Sequence, residues 1–206
     1  MKNGNNQVTL TGRIATEFKL CYQYGSEKFY KMEIVVKRLR ENVDWIPVVV
    51  SDWLVDITQD YTEQFVEIHG EFRSHNCHEE MRNRLELFVF AREVNFIKES
   101  SVEPVNEIYL NGYICKSPIY RKTPLGREIT DLLLAVNRFY VKTDYIPCIC
   151  WGRNARYASS LEVGCNLFIW GRIQNREYIK QLAENKTQKR TAYEVSICKL
   201  DKSLIV

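Results

Sequence analysis

Val8-Thr9-Leu10-Thr11-Gly12 recurs as Ile108-Tyr109-Leu110-Asn111-Gly112, one hundred residues further along the chain. Asp44-Trp45-Ile46-Pro47 recurs as Asp144-Tyr145-Ile146-Pro147 at the same offset of 100. Beyond these points the spacing drifts: Ile68-His69-Gly70 answers to Ile169-Trp170-Gly171 at 101, and Leu85-Glu86-Leu87 to Tyr193-Glu194-Val195 at 108. A repeat of this length is the size of a small domain, so it predicts two copies of one fold, residues 1–100 and 101–206, joined near Lys98 to Val105.

Inside each copy the apolar residues alternate, as in Val8/Leu10 and Ile108/Leu110, or run on, as in Ile34-Val35-Val36 and Leu132-Leu133-Leu134-Ala135-Val136. Such patterns predict strands, some buried on both faces. After Trp45 to Val50 and after Tyr145 to Trp151 a short helix is plausible; Ala155, Ala158 and Leu161 stand three apart there and Gly164 closes the segment. Each copy thus reads as three strands, a helix and two strands, an all-β architecture in the order of the OB-fold barrel.

The formal net charge of +3 conceals an asymmetry. Residues 1–100 hold 13 Lys and Arg against 16 Asp and Glu, a balance of −3, which leaves 16 against 10, or +6, for residues 101–206. A polyanion would be drawn to the second copy. The hydrophobic runs are too short for a membrane helix, and no membrane partner is expected. Seven cysteines, odd in number and without a CxxC pair, suit a reducing cytoplasm rather than a disulfide framework. His69, His75 and His78 lie close together with Cys77, but their spacing fits no standard zinc site. No phosphate-cradling loop, HExxH pair or Ser/His/Asp set stands out, so neither catalysis nor a metal or other cofactor is expected.

The second copy resembles the bacterial single-stranded-DNA-binding protein family from Asn106 to about Leu200. The residues that carry the likeness are Leu110-Asn111-Gly112, the spaced Pro118, Arg121, Pro124 and Gly126, then Leu134-Ala135-Val136-Asn137-Arg138 and Asp144-Tyr145-Ile146. Trp151-Gly152-Arg153, Gly171-Arg172-Ile173-Gln174 and Tyr193-Glu194-Val195 complete it. The resemblance implies sequence-independent binding of single-stranded DNA in replication, recombination or repair. It also implies four OB-folds per assembly, hence a homodimer. Many members end in a long acidic tail that recruits other proteins, and the stop at Lys202-Ser203-Leu204-Ile205-Val206 makes that recruitment an unexpected property here.

A binder indifferent to sequence needs flat aromatic faces for bases and cations for phosphates. The resemblance assigns stacking to Tyr140, Tyr145, Trp151 and Tyr178, with Arg121, Arg138, Lys142, Arg153, Arg172, Arg176 and Lys180 as phosphate ligands. Period-two geometry puts Tyr145, Ile149 and Trp151 on one face and turns Cys148 and Cys150 to the core. In the first copy Trp45 matches Tyr145, but Ser51 stands for Trp151, Arg40 for Tyr140 and Cys77 for Tyr178. That copy is expected to bind poorly or to serve assembly, although Trp45, Lys37, Arg38, Arg40 and Arg73 could extend a DNA path and Trp53 could replace a lost ring. Two other readings use the same surfaces: a primosome-like or protein-interaction adaptor with weak nucleic-acid binding, and a binder of single-stranded RNA.

Overall fold

The structure is a computed structural model and describes residues 4–38, 42–79, 82–98, 103–138, 142–183 and 186–203. The first half builds six strands: β1 (Asn6–Ile14), β2 (Lys19–Tyr24), β3 (Glu27–Lys37), β4 (Val43–Ser51), β5 (Phe65–Glu79) and β6 (Arg82–Ile97). The second repeats them as β7 (Asn106–Ile114), β8 (Ile119–Lys122), β9 (Glu128–Asn137), β10 (Thr143–Trp151), β11 (Asn166–Ala183) and β12 (Lys186–Lys202), with α1 (Arg153–Ser159) between β10 and β11. The all-β tandem OB-fold read from the repeat is the fold observed.

All twelve strands belong to one sheet, in the order β2-β3-β4-β6-β5-β1-β7-β11-β12-β10-β9-β8. Extra pairings of β3 with β1 and of β9 with β7 curl each half into a barrel. The halves meet where β1 and β7 pair antiparallel, from Asn6 opposite Leu110 to Leu10 opposite Asn106. Val8 opposite Ile108 is the centre of that pairing, so an approximate twofold axis passes there. Val8, Leu10, Ile34, Ile46, Ile68 and Phe72 fill the first core, and Ile108, Leu110, Leu134, Ile146, Ile169 and Ile173 fill the second.

Two details differ from the sequence reading. Each half has six strands rather than five, because β2 and β8 add a hairpin strand to β3 and β9. Every residue of β2 and β8 is exposed, so neither carries the alternation by which a half-buried strand is recognised. The helix forms only in the second half among the described residues. There Ala155 and Ala158 are buried against the barrel, and the hydroxyl of Thr130 donates to the Ala155 carbonyl. The corresponding stretch of the first half, Trp53 to Tyr61, holds β-branched Val55, Ile57 and Thr58, and its aspartates make local turns instead. Asp56 accepts from the Thr58 N–H and Asp60 from the Thr62 N–H, bonds that compete with helix formation.

The glycines of Ile68-His69-Gly70 and Ile169-Trp170-Gly171 are packing residues. Gly70 and Gly171 each sit beside a bulge in the long hairpin, and a Cβ there would fall on the carbonyl oxygen of Phe90 or of Ser196.

Candidate nucleic-acid interface

The β10 strand presents its aromatic residues as period-two geometry requires. Tyr145 and Trp151 are exposed, Cys148 and Cys150 are in the core, and Ile149 between the two rings is itself buried. The Trp151 indole N–H donates to the Ser196 hydroxyl on β12, 3.3 Å away, which fixes the ring against the barrel wall. Tyr178 is exposed on the long hairpin of β11 and β12, and Trp45 is exposed on β4. Tyr140 and Arg40 lie outside the described residues, as does the side chain of Lys180, whose backbone belongs to β11.

The cations divide into free and engaged. Lys142 and Arg153 are exposed and make no ion pair among the described residues. Arg176 is mostly exposed, with Glu194 at 4.0 Å. Arg121 is bound to Asp131 at 2.7 Å across the β8–β9 hairpin. Arg73 donates to Glu71 at 2.7 Å and lies 3.9 Å above the ring of Phe90. Burial opposes the charge of Glu71, but Arg73 and Arg92 together outweigh it and hold the carboxyl below its ordinary range.

Arg38 and Arg138 are tied most closely. Asp44 and Asp144 are buried, and the guanidiniums of Arg38 and Arg138 close onto them as forked pairs. Those hydrogen bonds raise both arginines above their usual range, against the pull of partial burial. Arg172 donates to Gln174 at 3.2 Å and stands 3.6 Å from Asp44. These three guanidiniums hold the junction and have little freedom to follow a phosphate.

The same carboxylates join the halves. Asp144 accepts from the Ser74 N–H at 2.6 Å, and Asp44 from the Asn175 N–H at 3.3 Å. The neighbouring aromatics are held likewise: the Tyr145 N–H donates to Ser74 Oγ at 2.9 Å and the Trp45 N–H to Asn175 Oδ1 at 3.1 Å. Each half thus grips the root of the other half's long hairpin beside its own exposed ring. Sequence reasoning missed Ser74 and Asn175, and it also passed over Tyr22 and Tyr24, both exposed on β2.

Two six-stranded barrels of one strand order, fused through a single sheet and carrying exposed rings beside free cations, define a tandem OB-fold protein. Residues 105–202 match the single-strand binding protein family. Single-stranded DNA-binding protein 2 of Listeria innocua is 35% identical over 81 residues, covering 36% of this chain and 51% of that protein. The chain thus spans about half the length of that relative. The single-stranded DNA-binding protein of Thermus thermophilus is similar over both halves, 24% identical over 217 residues, with 92% of this chain and 82% of that protein covered. A crystal structure of a deletion mutant of the single-stranded DNA binding protein from Thermus aquaticus shares the fold, with a TM-score of 0.78 and 20% identity over 99% of this chain and 97% of its own.

Proposed function

We propose that the chain is two OB-fold units, residues 1–100 and 101–206, that bind single-stranded DNA without sequence preference in replication, recombination or repair and do no chemistry on it. The observation that carries this reading is the outward face of β10, where Tyr145 and Trp151 are exposed, with Lys142 and Arg153 nearby making no ion pair among the described residues. Rings of this kind stack on any base, and unpaired cations follow the backbone. Tyr178 and Trp45 extend the stacking surface, and Arg176 extends the charge.

Two copies of the chain would bring four barrels together. The aromatic group on β7, β11 and β12, where Tyr109 and Trp170 meet at 5.4 Å and the Lys199 ammonium lies 4.3 Å over the Trp170 ring, is the face this reading assigns to that contact. Light scattering should return the mass of two chains, and Trp170→Glu the mass of one. The free cysteines among the described residues suit a reducing cytoplasm.

Titration of tryptophan fluorescence with oligo-dT at low and high salt tests the reading. Saturable quenching that weakens with salt is expected, with the loss concentrated in Trp151→Ala rather than Trp45→Ala. Absence of quenching in the parent chain would remove the proposal. Competition with a matched RNA oligomer separates DNA from RNA as the ligand.

A further inference from the structure

Trp151 has no aromatic counterpart on β4, where Ser51 occupies its place, yet the first half is not without a platform. In the second half Ile149 on β10 pairs with Ser196 on β12; the matching pair in the first half is Val49 on β4 with Phe90 on β6. The second half sets Trp151 against Ser196; the first has Ser51 at the position of Trp151 and Phe90 at the position of Ser196. The aromatic ring has moved one strand across.

Around Phe90 stands a connected group. Phe29 on β3 approaches it at 5.7 Å, and Tyr22 on β2 is stacked on Phe29 with ring centroids 4.6 Å apart and planes within 18°. Phe29 is 8% exposed and Tyr22 is 45% exposed, so a buried ring presents an open one. Tyr24, two residues on and therefore on the same face of the strand, is 81% exposed. Arg73 and Arg92 lie over the Phe90 ring at 3.9 and 5.0 Å.

Arg138 joins these cations from the other half. It lines, with Arg73, Arg92, Glu71 and Asp144, a cleft of about 380 Å³ at the junction. Three guanidiniums face two carboxylates there; Arg138 and Asp144 cancel, and the positive surplus is that of Arg73 and Arg92 over Glu71 in the half whose formal charge is negative. Burial pushes the Tyr22 hydroxyl up, and the charges of Arg73 and Arg138 pull against it. An exposed ring on an edge strand, backed by aromatics and flanked by surplus arginine, has the chemistry of a base-stacking site rather than of an apolar protein groove.

We propose that this face of the first half is a second stacking site for single-stranded DNA, with Tyr22 as its ring, Arg73 and Arg92 as its cations, and Arg138, held by Asp144, as a fixed wall of the cleft beside them. The inference rests on the DNA-binding reading above. It replaces a weak first half with one whose aromatic residues sit on β2, β3 and β6 instead of at the end of β4.

The test uses the full chain with two oligo-dT probes, one of about 10 nucleotides, within reach of one barrel, and one of about 30, long enough for two. Tyr22→Ala should leave the short probe bound as in the parent and weaken the long one by about 5- to 150-fold, the loss of one base stack. Tyr22→Phe, which keeps the ring, should restore it. An unchanged affinity of Tyr22→Ala for the long probe overturns the inference, while loss of the short probe in Trp151→Ala would leave the second-half site standing. A parent chain that binds neither probe removes both. Photo-crosslinking of a bromouracil-substituted long probe gives a measurement independent of the variants' stability: a crosslink at Tyr22 is expected, and crosslinks confined to the second half would overturn the assignment.

Discussion

Asp144 and Ser74, seventy residues apart in the chain, are 2.6 Å apart in the fold, the buried carboxylate accepting the backbone N–H of the other half's hairpin. Asp44 and Asn175 repeat the relationship across the approximate twofold axis at 3.3 Å. Because Tyr145 and Trp45 are the next residues and bond to the same hairpin roots, the geometry between candidate stacking rings is set by how the halves clasp one another. The carboxylates therefore act as positioning groups for a binding surface that they do not form.

Removing one of them leaves a partly buried guanidinium and a backbone donor without their acceptor. Asp144→Ala should lower the unfolding free energy by about 3–5 kcal/mol, the usual effect of breaking a buried pair from one side. Urea unfolding measures it. A loss below about 1 kcal/mol would mean that water replaces the carboxylate easily, and the clasp would then not be what orients the halves.

The free and engaged cations should separate in salt titrations. Each phosphate contact on a single strand contributes about 0.7 to the slope of log affinity against log salt. Lys142→Ala and Arg153→Ala are each expected to reduce the slope by about that amount at unchanged stability. Arg138→Ala should instead destabilise the fold while moving the slope less, since its charge is already spent on Asp144. Equal slope changes in all three variants would contradict the division.

Much of the fold was legible because the repeat fixes it: a chain that places glycine, Asp-aromatic-Ile-Pro and alternating apolar residues at the same offsets twice must build one barrel twice. The cations were harder to read. Arg38 and Asp44 are six residues apart, as are Arg138 and Asp144, and only the register across each hairpin brings them together. One signal was present: the Arg–Asp spacing persists in the first copy, where three of the four stacking positions have lost their rings, which favours a structural role over a DNA contact. Ser74 and Asn175 were hidden because their partners lie on distant strands and the two copies use different side chains for the clasp, a hydroxyl in one and an amide oxygen in the other. Tyr22 was hidden because its strand is exposed throughout and reads as a loop.

The bulge glycines give a stability prediction at positions outside the candidate stacking and phosphate residues. A methyl group at Gly171 meets the Ser196 carbonyl oxygen, a backbone atom that must shift to admit it. Gly171→Ala should cost roughly 1–3 kcal/mol, in the range of overpacked interiors. Thermal or urea unfolding with a parent-like midpoint would show that the bulge relaxes.

The buried thiols supply a pH dependence. Burial, reinforced by the charge of Asp131, pushes Cys150 up to about 12, and Cys148 is raised as well by burial with Cys150 and Glu194 beside it. In the unfolded chain a thiol ionises near 8.5. Between these values the folded thiol keeps a proton that the unfolded one has lost, so stability is full below about pH 8.5 and falls as pH rises toward the folded value. The fall is about 1.4 kcal/mol per pH unit for each such cysteine. Cys150→Ala should start from a lower stability at pH 7, because of the small cavity it leaves, yet lose stability less steeply by that amount between pH 9 and 10 (approximate limits set by the two pKa values). Urea unfolding of parent and variant across this window decides it, and parallel curves would mean that the core admits water to the thiol before the barrel opens.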